Sequence, residues 1–138
     1  MSWLVDTDVL SQLAKRRPER KVVTWLEEQR SELYTSSIVI AQLSYWIRTK
    51  TGAQRQELRN WLSGVLDAMP GRVLGFNVSA AICWAELWAD LERKGQRMPI
   101  EDSYIAATAV RHNLTIVTGN DRDFKRPGLK VFNPFREL

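Results

Sequence analysis

One cysteine and one histidine are all that 138 residues hold of the softer metal ligands. Cys83 has no partner for an internal disulfide, which fits a reducing, cytoplasmic compartment. A zinc site built from Cys and His is excluded. A nucleophilic triad would have to use His112, which lies in the ordinary helical stretch AVRHN and reads as surface. No apolar run approaches the roughly 20 residues of a membrane span, so no membrane is expected. The N-terminus, MSWLVDTDVL, meets the carboxylate of Asp6 without any basic region before it and does not read as a secretory signal. Repeats, low-complexity tracts and linkers are absent, and the length suits one domain, residues 1–138.

What is present is ordinary in bulk and uneven in detail. The formal net charge of +4 mildly favours polyanionic partners. Six tryptophans, at 3, 25, 46, 61, 84 and 88, spread along apolar faces, so core or subunit contact is a better use for them than base stacking. WLV before Asp6 is strand-like, and residues 7–15 carry Val9, Leu10 and Leu13 at helical spacing. RRPER breaks that pattern, with Pro18 placed to open a helix through Val22, Trp25 and Leu26. ELYTSS reads as a strand running into a cap, Ser36 or Ser37, for the helix VIAQLSYWIRT. Residues 54–68 form an amphipathic helix. RVLGFNV is a strand, and Ser79 caps the helix AAICWAELWADLERKG, closed by Gly95. PIEDSYIAATAVRHN is a further helix, LTIVT a strand, GNDRDF a turn and GLKVFNPF a last strand. The order β-α-α-β-α-α-β-α-α-β-β predicts an α/β fold, a mostly parallel sheet of four to five strands covered on both faces.

In such sheets ligands bind beyond the carboxyl ends of the strands. Asp6 ends the first strand, Asp102 lies in the first turn of a helix, and Asp121 and Asp123 follow LTIVT. Singly, each is what a cap, a dipole partner or a solvated turn would supply. Together they bring carboxylates from distant segments to one sheet edge. Crowded carboxylates repel unless a cation lies between them, and all-oxygen ligands suit Mg²⁺ or Mn²⁺. Such an ion serves phosphate chemistry.

Four stretches carry a family resemblance: LVDTDVLS, TSSIVIAQLSYW, EDSYIAATA and TGNDRDF. With the ending GLKVFNPF, the whole chain resembles the PIN-domain ribonucleases, specifically the VapC-like, FitB-like toxins of toxin–antitoxin pairs. The resemblance implies a three-layer α/β/α sandwich and a Mg²⁺- or Mn²⁺-dependent endoribonuclease acting on RNA, tRNA or rRNA among the substrate classes. It maps the acids onto Asp6, Asp102 and the TGNDRDF turn, where Asp123 is the expected acid because position 120 is an amide. Thr7, Asp8, Thr118 and Asn120 would orient water and the neighbouring carboxylates. The departure is Gln42, where the family carries a Glu. Gln keeps the shape and one carbonyl oxygen but loses the charge, so a weakened or inactive site is expected. The intact remaining motifs favour a deliberate neutralisation over a natural variant compensated by Asp8 or Glu101.

For an RNA substrate the basic stretch KRRPERK offers Lys15, Arg16, Arg17 and Arg20 to phosphates. The resemblance also implies a homodimer and a cognate antitoxin, with the apolar faces around Trp25, Trp46, Leu58, Trp61 and Leu62 as candidates for the groove or the dimer contact, several of them being plain core. Two other readings compete. VDTDVL is similar to the D-x-D strand end of haloacid-dehalogenase-like phosphotransferases, but Val9 stands where their Thr or Gly belongs and no lysine is well placed. A catalytically dead module that binds antitoxin or RNA rests on Gln42 alone.

Overall fold

The computed structural model describes residues 1–138. In chain order the elements are β1 (Trp3–Val5), α1 (Thr7–Leu10), α2 (Arg20–Glu28), β2 (Leu33–Ser36), α3 (Ser37–Arg48), α4 (Gly52–Asp67) and β3 (Val73–Leu74). There follow α5 (Val78–Arg93), α6 (Ile100–Arg111), β4 (Thr115–Val117), α7 (Asp121–Phe124) and β5 (Val131–Phe132), with 3-10 turns at Ser11–Ala14 and Arg30–Glu32. All five strands are parallel, in the order β3-β2-β1-β4-β5.

The chain therefore starts in the middle of its sheet. It steps outward through β2 and β3, then returns to the other side of β1 for β4 and β5. The reversal leaves a crevice between the carboxyl ends of β1 and β4, the place where α/β sheets bind ligands. Leu4, Val5, Ile116 and Val117 are fully buried, as central parallel strands must be when helices cover both faces. Ile105, Ala106 and Ala109 of α6 join the same core.

Local chemistry accounts for most boundaries. Ser36, rather than Ser37, caps α3, its hydroxyl accepting from the amides of Ile38 at 3.0 Å and Val39 at 3.4 Å. At α5 the expected cap was Ser79. Asn77 takes that place, accepting from Ala80 N at 3.0 Å, so the helix starts before Ser79. Residues 7–15 do not make one helix: a single α-turn tightens into a 3-10 turn, which ends as Lys15 turns extended. The GNDRDF segment is more than a turn, since α7 forms within it and buries Phe124 completely. This short helix separates the last two strands and lets them pair in parallel. No helix is long and apolar enough to cross a membrane.

Trp25 is core, packed edge-on against Trp3 with ring centroids 5.0 Å apart and tilted against Phe132 at 5.2 Å. Leu58 and Leu62 are buried in the core as well, whereas Trp46 and Trp61 are half-buried. An apolar hollow lies elsewhere, lined by Leu10, Leu13, Leu26, Leu33, Val65 and Met69.

Candidate active site

Asp6 follows β1 directly and is itself the N-cap of α1, so one residue ends a strand and begins a helix. Its Oδ1 accepts from Thr7 N at 2.8 Å, and its Oδ2 accepts from the Thr118 hydroxyl at 2.8 Å. Thr118 follows β4, and the bond thus crosses the crevice where the strand order reverses. From there a chain of contacts runs outward. Thr118 Oγ1 accepts from Asn120 N at 2.9 Å, and Asn120 Nδ2 donates to Asp123 Oδ2 at 3.0 Å. Asp8 Oδ2 accepts from Gly119 N at 2.9 Å, while its Oδ1 is buried without any hydrogen-bond partner. Gln42, on the second turn of α3, accepts through Oε1 from the Thr7 hydroxyl.

Electrostatics ties Asp102 to this group. Burial raises its carboxyl, and the charges of Asp6, Asp123, Glu101 and Asp8 add to the effect, taking it up to about 7. Asp8 is pushed up to about 6 by burial and then by the charge of Asp6. Asp6 is raised too, burial outweighing the hydrogen bonds from Thr118 and Thr7. The ion pairs of the structure involve Asp90, Glu92 and Asp121, and none reaches Asp6, Asp8, Asp102 or Asp123. Four carboxylates from three segments thus lie close enough to act on one another, and none of them is in an ion pair. Carboxylates so arranged favour a bound cation over further protonation only if one is supplied from solution.

The donor set is all hard oxygen, and Asp8 Oδ1 is a buried lone acceptor, so a hard divalent ion fits the chemistry. No three acidic, His or Cys side chains already converge on one point as ligands. Asp121 lies 3.4 Å from Lys125 Nζ, whereas it is Asp123 whose charge acts on Asp102. His112 is exposed at the end of α6 and takes no part. Lys15, Arg16, Arg17 and Arg20 are all exposed, on the segment that leaves the 3-10 turn and opens α2.

Three residues of this region escaped the reading of the sequence. A side chain on Gly119 would place Cβ 2.7 Å from Asp8 Oδ2 and 2.8 Å from the Phe135 ring. Asn133, fully buried, donates through Nδ2 to Gly119 O at 3.4 Å and accepts from Phe135 N at 2.9 Å. The C-terminal NPF turn therefore backs the loop that holds Asp8. The only sequence signal was the ending FNPF itself, which says nothing of what it touches.

Residues 3–129 match the PIN domain. The chain belongs to the PIN-domain family. It is similar to VapC ribonuclease Y4jK of Sinorhizobium fredii, 37% identical over 135 residues that make up 96% of each protein. Toxin FitB of Neisseria gonorrhoeae is 31% identical over 137 residues, 97% of this chain and 99% of FitB. The crystal structure of FitAcB from Neisseria gonorrhoeae superposes with a TM-score of 0.90 over 96% of this chain and 98% of that one, at 31% identity. The likeness spans the whole PIN sheet, so the α/β/α sandwich expected from the four motifs is the fold observed.

Proposed function

We propose that this PIN-domain chain is a divalent-metal-dependent endoribonuclease, the toxin of a toxin–antitoxin pair. The observation that carries it is the set of carboxylates at the switch point, unpaired with any Lys or Arg and holding one buried, partnerless oxygen. The names of Y4jK as a ribonuclease and FitB as a toxin agree with it.

Asp6, Asp102 and Asp123 would hold Mg²⁺ or Mn²⁺, with Asp8 Oδ1 close by. Such an ion, when bound, supplies Lewis-acid help to a phosphate oxygen, a more acidic water and compensation for charge on the leaving oxygen. The protein's own part is orientation. Thr118 and the Thr7 amide fix both oxygens of Asp6, and Asn120 fixes Asp123. Lys15, Arg16, Arg17 and Arg20 draw the RNA, of the tRNA or rRNA class, toward an acidic centre that would otherwise repel it. A cognate antitoxin and a second copy of the chain are the partners this reading implies. A phosphoryl-enzyme at Asp6 is disfavoured, because no lysine pairs with the acids here and the similar proteins are named a ribonuclease and a toxin.

Gln42 is neutral where the centre needs charge. It already sits on the Thr7 hydroxyl, and Glu is nearly its isostere, so the carboxylate can be restored without repacking. Initial rates on a structured RNA with Mn²⁺ test the proposal. Gln42→Glu is expected to cleave roughly tenfold faster, and Asp102→Asn roughly a hundredfold slower, with no cleavage in EDTA. Cleavage that survives EDTA overturns the metal-dependent reading. Equal rates for the parent and Gln42→Glu overturn the role given to position 42.

A further inference from the structure

One turn beyond Gln42 on α3 stands Trp46, about 6 Å further along the helix axis. It opens onto a hollow of about 270 Å³ whose other walls include Lys15, Arg16, Lys50, Gln54 and Glu57. Lys50 Nζ lies 5.6 Å from the centre of the Trp46 ring, so a face of that ring is accessible to a charged group. Three cations meet one acid here, and none of them is in an ion pair.

Both walls are held in place. On one side Gln12, itself buried, accepts from Glu19 N at 3.0 Å and anchors the segment that carries Lys15 and Arg16. On the other, Arg55 donates to Lys50 O at 2.7 Å and to Arg48 O at 2.9 Å, which fixes the turn between α3 and α4. A half-buried indole flanked by unpaired cations on a rigid frame is the arrangement that binds unpaired nucleotides: the ring stacks on a base and the cations take the phosphates.

We propose that this hollow is the subsite for a single-stranded nucleotide next to the cleaved phosphate, with Trp46 as its stacking platform and Lys15, Arg16 and Lys50 as its phosphate contacts. The inference rests on the nuclease reading for its choice of ligand. A base laid on Trp46 displaces Lys50 from the ring toward a phosphate, since stacking is a stronger use of that face than an exposed cation–π contact. The subsite accepts only unpaired bases, because a paired base cannot present its face to the indole.

The test measures binding without cleavage. Fluorescence anisotropy in EDTA follows a labelled single-stranded RNA of about ten nucleotides and a duplex of the same length. The single strand is expected to bind tighter than the duplex. Trp46→Ala should weaken the single strand about tenfold, Trp46→Phe much less, and Lys50→Glu at least as much as the alanine variant. Lys130→Glu, at the opposite edge of the sheet, controls for net charge and should change affinity far less. Binding in the Phe variant shows that the fold is retained. Equal affinities for Trp46→Ala and the parent, as a hollow built for a protein segment would give, overturn the proposal. So does equal weakening by Lys50→Glu and Lys130→Glu. Because no metal is present, a failure of the nuclease reading leaves this result standing, and the two are told apart.

Discussion

At the scale of single residues the acids oppose the fold that holds them. Asp8 and Asp102 bind protons more tightly folded than unfolded, with their carboxyls raised from 3.8 to about 6 and about 7. Their folded-state protonation is thus a stabilising contribution that is fully present below about pH 4 and is lost as pH rises through 6 and 7. Metal-free protein should lose melting temperature across that window. Asp102→Asn should remove the upper part of the loss and raise the melting temperature at pH 8 by a few degrees. Thermal melts in EDTA at half-unit pH steps check this; parallel curves for parent and variant would remove the electrostatic account. The same variant is the one expected to lose cleavage, so stability and activity move in opposite directions at one side chain.

Among elements, the loop after β4 and the short helix α7 decide how well the site is built. Gly119 is where the loop presses on Asp8 and Phe135. Gly119→Ala cannot fit without moving a carboxylate or an aromatic ring, and a cost of about 1–3 kcal/mol is expected. Its Mn²⁺ affinity should fall as well, which calorimetric titration reads separately from stability. Wild-type values for both would mean that the NPF turn does not brace the loop. Phe124 anchors α7, and with it Asn120 and Asp123, from a fully buried position. Phe124→Ala should lower unfolding free energy by about 3–5 kcal/mol in urea titrations. A loss below about 1 kcal/mol would show that the helix is held by something other than this ring.

For the whole molecule, the proposed function has acids in the crevice and cations such as Lys15 and Arg16, which border the hollow at Trp46, drawing the RNA. Such a field draws a polyanion to the rim and leaves the local repulsion at the centre to be cancelled by a cation. Binding of single-stranded RNA should therefore weaken steeply with salt. Five phosphates engaged by Lys15, Arg16, Arg17, Arg20 and Lys50 give a log–log slope of about −3.5, at ~0.7 per phosphate. Replacing Arg17 with Gln should reduce the slope by about 0.7 for any RNA sequence. A slope that does not change excludes Arg17 from phosphate contact.

Alternation of strand and helix signals, the serine cap of α3, the glycine that closes α5 and the acids that follow two strands were legible in the sequence, because each depends on neighbours within a few residues. The scarcity of Cys and His likewise restricts any resident ion to hard oxygen ligands. What only tertiary structure decided are contacts between distant segments. Thr118 reaches Asp6 across 112 positions, and Asp8 keeps one oxygen buried and free. Asp121 turns to Lys125 and leaves Asp123 to act on Asp102. Trp46, one of six similar tryptophans in the chain, borders cations that come from another segment. Burial and direction of a side chain are set by what packs against it from elsewhere in the chain, and that information is not local.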